Sequence, residues 1–294
     1  MRILLATDGS GHATEAGEWL VRFPLPDGAV VEVVSVAPDG LLGAGGREQA
    51  AHVVEEARQR LAKRWPGAGG RVLEGDPRQA IIDAAESGRV DLVVVGSRGL
   101  GAIPSLVLGS VAADVARHAP CPVLVCKGSA RPVRSVTLAV DGSAGAEQAV
   151  EYLAGLPLAP ETSVRLVGVI EPLRFPSTAP DVVKGPLLKA LRDYEDERRA
   201  ALETVLEAAA GRFRPRVARV ATATPVGVPA PAIVTEARRY GSDLIVVGAR
   251  GLGTFRRVLL GSVSESVLHQ APCPVLIVRS PRPGSSVEVG GGRP

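Results

Sequence analysis

Two glycine-rich stretches contain the residues of this sequence that are best suited to hold an anion. The first reads "GSRGLGAIPSLVLGS" over residues 96–110, and the second reads "GARGLGTFRRVLLGS" over residues 248–262. Each follows an aliphatic run and ends where a helical pattern of apolar residues begins. A helix N-terminus offers unpaired N–H groups and the positive end of the helix dipole, while glycine lets the main chain approach a ligand closely. The spacing therefore predicts a phosphate-binding loop in each half of the chain.

An aspartate follows the first predicted strand of each half, within the sequence "DGS". These residues are Asp8 and Asp141. A carboxylate at a strand end beside a phosphate loop suits a ribose hydroxyl group, or a Mg²⁺ ion bound with the nucleotide. Ser110 and Ser262 stand at the predicted helix starts, where they suit the N-cap position and can bond either the backbone or a phosphate oxygen. Together these parts predict a mononucleotide site.

The same glycines also fit a structural turn, with the serines acting only as helix caps. A Walker A loop requires a lysine before the serine, but Gly109 precedes Ser110 and the loop contains no lysine. The dinucleotide pattern GxGxxG requires glycine at position 104, which is Pro104. The second copy favours a ligand site, although duplication of a chain copies structural turns as well. Both explanations stay open on these residues alone.

The chain is an internal repeat. The segment "LLATDGSGHATEAGEWL" at 4–20 aligns with "TLAVDGSAGAEQAVEYL" at 137–153, and the halves end in "HAPCPVLVCK" and "QAPCPVLIVR". Within each half, short aliphatic runs that are apolar on both faces alternate with helical patterns. Such strands belong to a parallel sheet that helices cover on both faces. The fold class is therefore predicted to be α/β, with two tandem doubly wound domains of five strands each.

The predicted domains are residues 1–127 and 135–280, joined by a polar linker at 128–134 and followed by a disordered tail at 281–294. The second half has a longer excursion after its second strand. Its proline-rich part, 172–186, is predicted as a mobile loop, and the remainder as an amphipathic helix. The apolar side of that helix carries Leu187, Leu188, Leu191, Leu202 and Leu206.

Composition excludes several classes of protein. The apolar runs are strand-sized and the start lacks a signal-peptide pattern, so we expect a cytoplasmic protein without membrane spans. The net charge of +3 comes from arginines spread along 294 residues, and aromatic content is 3%, which argues against nucleic-acid binding. Cys121, Cys126 and Cys273 are predicted as buried thiols rather than as a disulfide framework or a zinc site.

The spaced glycines resemble the ATP-binding signature of the universal stress protein family. The pattern is Gly-x2-Gly-x9-Gly-Ser, and it begins at Gly96 and at Gly248. The motifs "TDGS", "EGDPRQAI" and "APCPVLV" support the resemblance, which covers essentially both halves. It implies a parallel sheet of order 3-2-1-4-5 in each half. It also implies that the last strands, "PVLVC" and "PVLIV", join the halves as an intramolecular pseudo-dimer, and it leaves a homodimer of whole chains open.

The resemblance also implies roles for individual residues. Asp8 and Asp141 contact the sugar or a Mg²⁺ ion, and Val36 and Val169 offer backbone groups to adenine. The ribose and phosphates are held by Gly96, Arg98, Gly99, Gly109, Ser110 and Val111 in the first half, and by Gly248, Arg250, Gly251, Gly261, Ser262 and Val263 in the second.

The leading functional hypothesis is a nucleotide-binding stress or regulatory protein with one ATP site per domain. No nucleophilic triad can be assembled, so no catalytic residue is predicted. The alternatives are a weak Mg²⁺-dependent ATPase and an interaction module that binds no nucleotide. Arg256 and Arg257 have no counterparts in the first half, which suggests that the second half binds ATP more tightly.

Overall fold

The computed structural model describes residues 1–37, 43–100, 108–172, 181–252 and 260–279, apart from the side chains of 43–44 and 181–188. The elements of the first half are β1 (Arg2–Ala6), α1 (Gly11–Arg22), β2 (Val30–Ala37), α2 (Gly43–Leu61), β3 (Gly69–Glu74), α3 (Pro77–Ser87), β4 (Leu92–Gly96), α4 (Ser110–His118) and β5 (Val123–Cys126). Those of the second are β6 (Ser135–Ala139), α5 (Ala144–Gly155), β7 (Ser163–Val167), α6 (Asp181–Gly211), β8 (Arg219–Ala223), α7 (Pro229–Arg239), β9 (Leu244–Gly248), α8 (Ser262–Gln270) and β10 (Val275–Val278).

The ten strands form one continuous sheet of order β3-β2-β1-β4-β5-β10-β9-β6-β7-β8. Within each half every pairing is parallel, and the order is 3-2-1-4-5 when the strands of that half are counted from its own start. The predicted fold class, two tandem doubly wound α/β domains, is confirmed.

The two half-sheets join through their last strands. β5 and β10 pair antiparallel, with Val125 opposite Val275, Leu124 opposite Leu276 and Val123 opposite Ile277. This is the pairing of "PVLVC" with "PVLIV" that the sequence resemblance implies. Because it is the one antiparallel ladder among these strands, the strands of the two halves run in opposite directions. The carboxyl ends of the two half-sheets therefore lie at opposite edges of the sheet.

Strand residues alternate between two apolar cores, one on each face of the sheet. Ile3 and Leu5 face the core under α1, α2, α5 and α6, whereas Leu4 faces the core under α3, α4, α7 and α8. Both cores contain residues of both halves, so they continue across the β5–β10 junction. Three aromatic residues, Trp19, Phe23 and Phe213, are buried in the first core, and Trp65 and Tyr152 pack against it.

The start of α6 differs from the prediction. The sequence predicts a loop over 172–186, but α6 begins at Asp181, so the last six of those residues are helical. Pro186 removes only one hydrogen bond from the helical ladder, and the amphipathic pattern that follows outweighs that loss. Leu206 is buried and Leu202 packs beside it, as the pattern requires. The predicted tail at 281–294 lies outside the described residues.

The three cysteines are buried and free, as expected from their number and spacing. Burial raises the pKa of the Cys121 thiol to about 12 and that of Cys273 to about 11. Among the helices of the described residues, none has the length and apolar composition needed to cross a bilayer.

Two basic residues, one in each half, connect the halves, because each caps the C-terminal end of a helix in the opposite half. Lys127 follows β5, and its Nζ donates to the carbonyl oxygens of Leu268 (2.5 Å) and Ala271 (3.3 Å) at the C-terminal end of α8. Arg279 follows β10. Its guanidinium group donates to the carbonyl oxygen of Ala119 (2.7 Å) at the end of α4, and also to the carbonyl oxygens of Arg117 and Ala116. A cation at a helix C-terminus satisfies unpaired carbonyl groups and complements the helix dipole.

We predict that the contribution of Lys127 to stability depends on pH. Burial lowers its pKa from 10.5 to about 8. Between these pH values the unfolded chain binds more protons at this residue than the folded protein does, so stability rises with pH through that window. The free energy of unfolding of the wild type, relative to a Lys127→Met protein, should therefore rise by up to about 3 kcal/mol between pH 7.5 and 10.5.

Denaturant unfolding at both pH values measures this difference. Lys63→Met, at an exposed lysine, is the matched control and should follow the wild type at both pH values. Parallel pH profiles for the wild type and the Lys127→Met protein would show that burial of the charged form of Lys127 carries no cost.

Candidate functional site

A cavity of about 680 Å³ opens at the carboxyl ends of the second-half strands. In a doubly wound sheet this edge is where ligands bind. The eight second-half residues that the sequence predicts as ligand contacts all line this cavity: Asp141, Val169, Gly248, Arg250, Gly251, Gly261, Ser262 and Val263. Its volume falls in the range of small-molecule sites, roughly 300–1,000 Å³.

The aspartate of each half fastens the glycine loop to the end of the first strand. One carboxylate oxygen of Asp141 accepts from the N–H of Ser143 (2.9 Å), and the other accepts from the N–H of Leu252 (3.3 Å). Asp8 repeats the arrangement, because it accepts from the backbone N–H groups of Ser10 (3.0 Å) and Leu100 (2.8 Å). The sequence predicts these carboxylates only as ligand contacts, and their positioning of the loop is an additional role.

This hydrogen bonding explains why one position of each loop must be glycine. A Cβ atom at Gly251 would lie 2.6 Å from Oδ2 of Asp141, and a Cβ atom at Gly99 would collide with Oδ2 of Asp8. A side chain at either position would push the carboxylate away from the loop. The glycine and the aspartate therefore depend on each other.

The residue that ends the fourth strand of each half must be glycine for a different, structural reason. A Cβ atom at Gly248 would collide with the carbonyl oxygen of Gly145, in the first turn of α5. At Gly96 it would lie 2.7 Å from the carbonyl oxygen of His12, in the first turn of α1. Backbone atoms of a packed helix cannot yield as a side chain can. These glycines therefore fix the distance between the strand end and the helix.

The loop of each half ends at a helix N-terminus, as predicted, but the capping residue is not the serine. The N-cap residues of α4 and α8 are Gly109 and Gly261, while Ser110 and Ser262 are the first helical residues. The predicted N-cap role of the serines is wrong, because the loop turns into the helix one residue earlier. Neither helix receives a side-chain capping bond at its N-cap position.

In the first half, the described residues form the same framework. Val36 lies in the second strand and is partly buried, and Val111 lies in the first turn of α4. The backbone N–H of Gly109, near the end of the loop, donates to the carbonyl oxygen of Ser97 near its start (2.8 Å). The Nε of Arg98 is buried and has no hydrogen-bond partner among the described residues. Residues 101–107, the middle of this loop, lie outside the described part of the chain.

The family of the chain follows from comparison with known proteins. The model of the universal stress protein family matches residues 1–127 and 132–279. The chain belongs to the universal stress protein family. A universal stress protein of Mycolicibacterium smegmatis is 29% identical, over 94% of this chain and 96% of its own length. One from Thermus aquaticus is 38% identical over 42% of this chain and 97% of its own length.

The fold also matches that of a solved relative. The crystal structure of a universal stress protein from Archaeoglobus fulgidus superposes with a TM-score of 0.64, at 23% identity, and covers 96% of this chain and 97% of that one. That likeness concerns the fold alone. The match of the shorter Thermus aquaticus protein to less than half of this chain agrees with a universal stress protein that contains two repeats.

The halves differ at the helix that follows the third strand. The side chain of Asp76 caps α3 by accepting from the N–H of Arg78 (2.8 Å), and hydrogen bonding to Arg78 lowers the pKa of Asp76 to about 2. Its counterpart, Val228, makes no capping bond at the start of α7. Arg256 and Arg257, predicted to assist the second site, lie outside the described residues.

A metal site built from the protein alone is not found among the described residues, where no three His, Cys, Asp or Glu side chains are grouped to hold an ion. Mg²⁺ usually keeps several water ligands and binds through one or two carboxylates and the phosphates of a nucleotide. Asp8 and Asp141 can therefore each supply one protein ligand to such an ion, and no more.

The sequence reasoning missed one wall of the cavity. α6 contributes Arg198, Ala201, Leu202 and Val205 to its lining. The helical pattern does place Leu202 on the apolar side of α6. The pattern within α6 does not reveal that this side also lines the cavity.

We predict that Gly248→Ala destabilises the protein by about 1–3 kcal/mol, because the new methyl group collides with the backbone of α5. Gly155→Ala is the matched control, since no atom lies within 4 Å of the methyl group at that helical position. The control should leave stability unchanged or raise it slightly, because alanine favours helix. Thermal or denaturant unfolding measures both, and equal effects would contradict the close approach at Gly248.

Proposed function

We propose that the protein binds ATP, with one site in each half, and that it acts as a nucleotide-binding regulatory protein. The observation that carries this proposal is the second-half cavity. A single cavity there is lined by the glycine loop, the N-terminus of α8 and Asp141. The equivalent residues of the first half lie on or next to the matching strands and helix of that half.

The phosphate end of the ligand is assigned to the N-terminus of α8. The backbone N–H groups of the first helical turn have no partners within the helix, and the helix dipole favours an anion there. Ser262 is the first residue of α8 and lines the cavity, so its hydroxyl group can donate to a phosphate oxygen. Arg250 lines the same cavity and adds a positive charge.

The base is assigned to the apolar side of the cavity. Ile170, Leu202, Val205 and Ile233 line it, beside Val169 near the end of β7. An apolar slot of this kind buries the faces of an aromatic ring, while backbone groups of the strand end bond its edge. Apolar and polar walls that meet in one cavity suit a nucleotide better than a simple anion.

Hydrolysis of ATP is a weaker candidate function. The described cavity residues include no histidine, and both carboxylate oxygens of Asp141 already accept backbone hydrogen bonds. Glu171, the other carboxylate of the described lining, is exposed to solvent. The described lining therefore holds no enclosed base that is free to orient the attacking water. We expect at most slow turnover. Incubation of the purified protein with labelled ATP measures it directly.

We predict that valine at the loop glycines removes the two sites separately. Gly251→Val should displace Asp141 and abolish ATP binding in the second half, and Gly99→Val should do the same in the first. Analysis of the nucleotide released on denaturation, followed by titration calorimetry, counts the sites that remain. If the second half binds more tightly, the Gly99→Val protein keeps the higher affinity.

Two controls make this result interpretable. Gly67→Val places a valine at an exposed glycine with open space around it and should bind like the wild type. Circular dichroism checks that each variant is folded. Absence of any bound adenine nucleotide in the wild type would overturn the proposed function. Equal residual affinities in the two loop variants would overturn only the inequality of the sites.

A further inference from the structure

The helix after the second strand differs between the halves at the point where it meets the cavity. α2 and α6 can be aligned residue by residue, because Val53 packs on Gly9 and Val205 packs on the equivalent Gly142. The difference in residue number between Val53 and Val205 is the same as that between Gly96 and Gly248. Under this alignment the counterpart of Arg198 is Gly46. The second half therefore has a cation on this helix where the first half has no side chain.

A second difference fixes how closely α6 lies against the sheet. Leu202 packs directly over Gly168, where a Cβ atom would come within 2.8 Å of the leucine side chain. The first-half counterparts of these residues are Ala50 and Ser35. The second half thus has a leucine packed on a glycine where the first half has an alanine and a serine. This leucine contact holds the turn of α6 that carries Arg198 at the cavity wall.

The turn of α6 that carries Arg198 is also held by its neighbour, Arg199. The guanidinium group of Arg199 donates to the hydroxyl (3.0 Å) and the carbonyl oxygen (3.4 Å) of Thr224, which follows β8. Arg198 itself is partly buried, lines the cavity and lies 5.8 Å from the ring centroid of Tyr194. Within the described part of the chain, no carboxylate forms an ion pair with it. Its guanidinium group is therefore held at the cavity wall without a carboxylate partner among those residues.

The charged side chains of the cavity differ in how enclosed they are. Among the described residues, four ionisable side chains line it: Arg198, Arg250, Asp141 and Glu171. The Asp141 carboxylate is engaged by two backbone N–H groups, and Glu171 is exposed to solvent. Arg250 is exposed as well, whereas Arg198 is partly buried, so Arg198 is the more enclosed of the two cations that line the cavity.

We propose that Arg198 is a binding residue that selects nucleotides with phosphate groups in the second-half site, by donating from its guanidinium group to a phosphate oxygen. The first-half site, with Gly46 at this position, lacks the contact. This inference rests on the proposed nucleotide-binding function, and it assigns the inequality of the two sites to a residue of α6. A guanidinium group suits phosphate because its N–H groups match two phosphate oxygens at once.

The test is a titration of the whole protein with adenosine, AMP and ATP. Arg198→Gln should weaken ATP binding at one site about 10-fold or more, the loss typical of a charge-assisted hydrogen bond, while adenosine affinity changes less than about twofold. Arg198→Lys should recover part of the loss, because it keeps the charge. Arg192→Gln, at an exposed position of the same helix, is the matched control and should bind like the wild type.

The same substitution in the Gly251→Val protein assigns the effect to one half. There Arg198→Gln should change nothing further, whereas in the Gly99→Val protein it should keep its full effect. Failure of the wild type to bind any adenine nucleotide would overturn the proposed function itself. Wild-type binding with unchanged ATP affinity in Arg198→Gln, or with equal losses for ATP and adenosine, would overturn the role of Arg198 alone.

Discussion

The antiparallel pairing of β5 with β10 is the constraint on which the rest of the molecule depends. It joins two parallel half-sheets edge to edge, so that neither half leaves the edge of its last strand unpaired. It also continues both apolar cores from one half into the other. Lys127 and Arg279 then cross the same junction and cap the helices that begin at the glycine loops. The framework of each candidate site is in this way supported by the opposite half.

The reversal of strand direction at this junction separates the two sites. Each lies at the carboxyl edge of its own half-sheet, so the duplicated loops point to opposite edges of the sheet and cannot form one shared pocket. The loops themselves are held by short-range contacts that both copies retain, namely the aspartate-to-loop hydrogen bonds and the backbone contact at Gly96 or Gly248. The copies diverge away from this framework, at Gly46 and Arg198, where a substitution changes the cavity without disturbing the sheet.

Sequence patterns predicted the framework well, because it depends on local and repeated features. Strands that are apolar on both faces and the aligned "DGS" and "APCPV" segments, with the family resemblance that they carry, were sufficient to predict the sheet order and the joining of "PVLVC" to "PVLIV". Details that depend on tertiary packing were missed. Pro186 suggested a loop where α6 is helical, and Ser110 stands one residue inside the helix that it was expected to cap. The cavity wall formed by Arg198 depends on how closely α6 approaches β7, which no pattern within α6 reveals.

If the second-half cavity is a nucleotide site, the phosphate end of the nucleotide should lie between α8 and α6. A crystal structure of the protein at saturating ATP tests this most directly. We expect phosphate oxygens within hydrogen-bond distance of the backbone N–H groups of Ser262 and Val263 and of the Arg198 guanidinium group, with the base beside Val169. An empty second-half cavity at saturating ATP, or a nucleotide bound elsewhere on the protein, would contradict it.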